Sequence, residues 1–77
     1  MAMDLSPQRG RFEFPAMQNT AFVAFPHRFP VAPSFVTVRS PVQGVMAFNL
    51  SAIGFVCGLQ PDMVVERAFP VDWEAVV

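Results

Sequence analysis

Phe22-Val23-Ala24-Phe25-Pro26-His27-Arg28-Phe29, followed by Pro33-Ser34-Phe35-Val36-Thr37-Val38, is the stretch whose reading decides the fold. Aromatic and β-branched residues recur there at a spacing of two, and Pro cuts them into short runs, which is the texture of strands and turns. Thr20 to Pro26 reads as a strand with Phe22 on one face and Val23 and Phe25 on the other. Ser34 to Arg39 reads as a second, with Val36 and Val38 facing inward and Phe35, Thr37 and Arg39 facing away. Pro26 and Pro30 bracket the bend between them.

The same texture continues outward in both directions. Phe12-Glu13-Phe14 alternates as a short edge strand stopped by Pro15, and Ala16 to Asn19 form a turn in which Asn19 suits a tight backbone. Val45 to Leu50 places Met46, Phe48 and Leu50 in period two, and Ser40 to Gly44 is the turn before it. Gly54 is expected to supply a positive φ or a bulge ahead of a strand from Phe55 to Leu59, which Gln60-Pro61-Asp62 closes. Met63 to Arg67 and Val71 to Val77 finish the chain, with Trp73 toward the core. Residues 1–11, with Pro7, Gly10 and few large apolar groups, read as an extended arm, and 12–77 as one domain. Pro is too frequent for long helices. About six short strands in so short a chain predict a small antiparallel β-sandwich, with Phe25, Phe29, Val36, Val38, Phe55 and Trp73 in its core.

Size makes stability the first problem. A chain of 77 residues buries a small share of its surface, and small domains are commonly braced by disulfides, metals or association. Cys57 is the single cysteine and His27 the single histidine, so neither a disulfide nor a metal cluster is in prospect. Hydrophobic residues make up 53% and charged residues 14%, against about 45–50% and about 25% in ordinary domains. Nine phenylalanines exceed what one small core readily holds. Association with other chains is therefore expected, as a homo-oligomer or as a subunit of a larger assembly.

Charge and chemistry exclude several functions. The formal net charge is -1, and the five arginines at 9, 11, 28, 39 and 67 form no basic run, so no footprint for nucleic acid is present. No apolar run approaches the roughly 20 residues of a spanning helix. The opening Met1 to Pro7 has neither the basic start nor the apolar core of a signal peptide, so synthesis in a cytoplasm is expected. Asp72 and Glu74 share a strand face about 7 Å apart, a spacing found on any exposed strand. Cys57 alternates with Phe55 and Leu59 as a buried small hydrophobe would. No catalytic set, cofactor site or metal site is legible. His27, Arg28, Arg39 and Arg67 are the candidates for contact with a polar ligand or a partner's carboxylates.

The order of a strand holding Phe22 and Phe25, a Pro33-x-x-Val36-x-Val38 strand, a Gly54-Phe55 turn and strand, and a terminal Trp73-x-Ala75 strand resembles the H-type lectin-like domains and the related C-terminal domains of phage tail fibres. The resemblance covers roughly residues 20–77 and implies a β-sandwich that trimerises. Sugar-binding members use a strand Arg and a loop His. The corresponding strand here, Gly44 to Leu50, and loop, Leu59 to Asp62, contain neither. What the resemblance implies is a non-enzymatic structural protein of a tailed bacteriophage virion, assembled in the host cytoplasm and decorating or cementing capsid or tail proteins. The alternative it carries is a receptor-binding module of a fibre or tail tip that recognises a host-surface glycan.

Overall fold

The structure is a computed structural model that describes residues 6–77. Six strands follow one another: β1 (Gln8–Phe14), β2 (Thr20–Ala24), β3 (Phe35–Arg39), β4 (Met46–Phe48), β5 (Gly54–Gly58) and β6 (Phe69–Val76). They form two antiparallel three-stranded sheets, ordered β1-β6-β3 and β2-β5-β4, and the described residues contain no helix. The all-β expectation is met. Each sheet is built around a late strand: β6 lies between β1 and β3, and β5 between β2 and β4.

The inner faces follow directly from the period of two. Phe14, Val71, Trp73 and Ala75 come from the first sheet and Val23, Phe55 and Cys57 from the second, and together with Phe25, Phe29, Leu59 and Phe69 they make one buried core. Val36 and Val38 are half-buried against it. Rings join the two layers, since Trp73 sits 5.8 Å from Phe55 and 5.5 Å from Phe25, and Phe25 meets Phe29 edge-on at 5.0 Å. Such tilted pairs add about 0.5–1.5 kcal/mol each beyond their buried area. One side of the sandwich is closed where β3 lies against β4. The other side has β1 and β2 as its edges.

Two local expectations change. β1 begins at Gln8, so residues 8–11 of the expected arm belong to a sheet, and residues 1–5 lie outside the described residues. Register supplies the reason: Gln8 to Arg11 stand opposite Ala75 to Asp72 of β6, and the pairing extends β1 beyond its apolar end. Met63 to Arg67 form a loop between β5 and β6. The Asn19 amide donates to the carbonyls of Gln60 and Met63 at 2.8 and 2.9 Å, and Val65 accepts from the Met17 N–H. These bonds tie the loop in place of a ladder. Positive φ falls on Met17, Asn49, Asp62 and Gly44, not on Gly54. Gly54 is required by close approach, because a Cβ there would stand 2.3 Å from the Val23 carbonyl oxygen and 2.6 Å from the Phe22 ring.

Candidate functional site

The alternation that fills the core also fixes two outer faces. On β1-β6-β3 the outward residues are Arg9, Arg11 and Glu13, then Pro70, Asp72, Glu74 and Val76, then Phe35, Thr37 and Arg39. Six of these ten are charged. On β2-β5-β4 the outward residues are Thr20, Phe22 and Ala24, then Gly54, Val56 and Gly58, then Met46 and Phe48, and none of the eight is charged.

Four of the six charges on the charged face are paired within the chain. Arg11 grips Asp72 through two hydrogen bonds, 2.6 Å from Nε and 3.1 Å from Nη2, and Arg9 reaches Glu74 at 2.8 Å. The partners are 61 and 65 residues apart in sequence, and only the β1–β6 register brings them together. The hydrogen bond from Arg11 holds the Asp72 carboxyl below its ordinary range, with the charges of Arg11 and Arg39 acting in the same direction. Arg11 is in turn held more firmly protonated by Asp72. Two shallow depressions of about 300 and 370 Å³ flank Asp72 and share Arg39 as a wall. They lie open on the sheet surface with no buried polar group at their base. Asp72 and Glu74 are thus paired with arginines inside one chain.

The apolar face cannot be satisfied in that way. The Phe22 ring lies over Gly54 and the Phe48 ring over Gly58, the two positions flanking Val56 on the central strand. Both glycines leave room that a side chain would fill, so the rings lie down on the sheet. Even so, Phe22 remains 58% exposed, Met46 49% and Phe48 36%. The product is a low, uncharged surface made of rings, methyl groups and glycine backbone.

The other predicted contact residues stay apart. His27 and Arg28 are exposed in the connection between β2 and β3, where the His27 backbone is clasped by the Gln8 side chain at 2.8 and 3.1 Å. Arg39 ends β3 on the charged face, and Arg67 is exposed in the loop before β6. No hydrogen bond or ion pair links any two of these four among the described residues. Cys57 is fully buried with its thiol pushed up to about 11 by desolvation, which keeps it protonated and unreactive at neutral pH. No group of three or more metal-ligating side chains occurs among the described residues, and no helix is long and apolar enough to cross a membrane. The apolar face escaped sequence reading as a surface, although the signal was present: Phe22, Met46, Phe48 and Val56 all take the outward phase of their strands.

No family model, no curated protein and no solved structure matches this chain. The functional reading therefore rests on the two faces and on the sequence pattern itself.

Proposed function

We propose that this chain is a non-enzymatic assembly module that works by burying the outer face of β2-β5-β4 against other chains. The observation that carries the reading is the contrast between that face, with eight outward positions and no charge, and the other, with six charges among ten. Covering the wet parts of Phe22, Phe48 and Met46 is worth roughly 1 kcal/mol for each side chain. That is a useful gain for a domain whose own core is small.

Within that class, the sequence pattern that resembles H-type lectin-like domains favours a homo-oligomer, a trimer by that resemblance, that decorates or cements the surface of a tailed bacteriophage particle. The missing strand Arg and loop His, together with the separation of His27, Arg28, Arg39 and Arg67, weigh toward a structural role over glycan recognition.

Light scattering at micromolar concentration tests the assembly role. The natural chain is expected as an oligomer, and the Phe22→Thr, Phe48→Thr double variant as a folded species of lower mass. A natural chain that is monodisperse and monomeric there overturns the proposal. Virion placement has its own test. Particles lacking the chain are expected to lose resistance to heat and osmotic shock, and full retention removes the cementing role.

A further inference from the structure

We infer that two copies of this chain also join edge to edge through β1, antiparallel and centred on Phe12, so that two β1-β6-β3 sheets continue into one six-stranded sheet. This contact is separate from the apolar face and stands or falls independently of it.

The free side of β1 is the first ground. β1 pairs only with β6, and among the described residues no loop bonds to the backbone of its other side, while at the strand's first residue the Gln8 side chain bonds to the His27 backbone. An unpaired edge is a template for another strand unless something guards it. The other edges are shorter or covered: β4 has three residues, β2 and β3 have five each, and β3 lies against β4. β1 has seven and no proline within it. Its arginines are poor guards, because Arg9 and Arg11 lean across the sheet to Glu74 and Asp72, away from the free edge.

Charge complementarity then selects the partner and the register. Opposed residues of an antiparallel pair point to the same face, so a two-fold axis between two copies must pass through a residue. Centred on Gly10, the pairing sets Arg9 against Arg11. Centred on Arg11 or Glu13, it sets a charge against its own copy. Centred on Phe12, it sets Arg11 of each copy against Glu13 of the other, Phe12 against Phe12, and Gly10 against Phe14, with no like charges opposed. Glu13 is available for this, since it stands opposite Pro70 and makes no ion pair among the described residues. Arg11 commits Nε and Nη2 to Asp72 and keeps the donors of its remaining nitrogen, enough to bridge Asp72 and the incoming Glu13. Phe12 is half-buried at the open side of the sandwich, where its counterpart would cover it.

A charge exchange tests the register in the Phe22→Thr, Phe48→Thr background, which removes the apolar contact. Glu13→Arg alone opposes arginine to arginine, and Arg11→Glu alone opposes glutamate to glutamate. Each should be monomeric. Mixed together they restore two opposite pairs, and a one-to-one heterodimer at least about tenfold tighter than either homodimer is expected. Because Arg11→Glu also loses Asp72, a second measurement keeps Arg11: in the same Phe22→Thr, Phe48→Thr background, Phe12→Cys should cross-link to a disulfide dimer under mild oxidation, and Arg67→Cys, exposed in the loop before β6, should not do so at a comparable rate. Failure of the mixture to pair, or cross-linking of Phe12→Cys no faster than that of Arg67→Cys, overturns the edge contact.

Discussion

The two outer faces of this small sandwich are made by the same rule and end in opposite conditions. On β1-β6-β3 the outward phase carries opposite charges at neighbouring positions of adjacent strands, and the sheet register alone pairs Arg9 with Glu74 and Arg11 with Asp72. On β2-β5-β4 the outward phase carries rings and methyl groups, and among the described residues these stay partly exposed. Phe22 and Phe48 find partial cover by lying on Gly54 and Gly58. Four of the six charges on one face are met within the chain, while the rings of the other stay partly exposed.

The sharpest way to break the contrast is at Gly54, where the apolar face depends on an absent side chain. Gly54→Ala drives a methyl group into the Val23 carbonyl and the Phe22 ring, so a loss of about 2–3 kcal/mol is expected in urea melts. An unchanged midpoint would remove the close-approach argument.

Salt sharpens the contrast next. Raising sodium chloride from about 0.1 M to 1 M shortens the Debye length from about 10 Å to 3 Å. Association through β2-β5-β4 should persist or tighten, while pairing of β1 through Arg11 and Glu13 should weaken several-fold in sedimentation of the Phe22→Thr, Phe48→Thr variant. An apolar-face contact that dissolves in salt would place the interface on the charged side.

Cys57 lies between the faces, on the inner side of β5, and reports whether the two sheets stay together. Its thiol should resist alkylation in the folded chain at pH 8 and react once urea unfolds it. The unfolded thiol ionises near 9 and the folded one near about 11, so stability should be level below pH 9 and fall as pH rises through that window. Equal alkylation rates with and without urea would mean that the core opens freely.

The smallest effect is expected on the charged face. Asp72 is held below its ordinary range by Arg11, so the pair contributes above the usual carboxylate range near 4 and loses its contribution as pH falls below it. Arg11→Gln should barely move the thermal midpoint at pH 7, because the pair is exposed, and should flatten the acid limb of the stability curve. An acid limb identical in both proteins would show that the pairing has no weight.

Much of the fold was legible because strand alternation is local. The phases of Phe22 against Val23, of Val36 against Thr37 and of Trp73 against Asp72 are all as the residue pattern indicates. The start of β1 was not legible, because Gln8 to Arg11 are poor strand formers in isolation and become strand through β6. Met63, Val64 and Val65 are apolar, yet Met63 to Arg67 form a loop, whose backbone groups Asn19 and Met17 take up from across the molecule. Of the candidate site, the residue types were visible, but no local signal put Phe22, Val56 and Phe48 in one row.

The order of residues by itself determined that this protein is built of short strands, which side of each strand is apolar, and that greasy surface exceeds what a chain of this size can hide. Those properties depend on neighbours two positions apart and on composition. Only the tertiary structure decided which strands share a sheet, and with that the separation into a self-paired charged face and an unmatched apolar one. Pairing between β1 and β6 or between β2 and β5 joins residues tens of positions apart, and the choice among such pairings is made by the whole core at once.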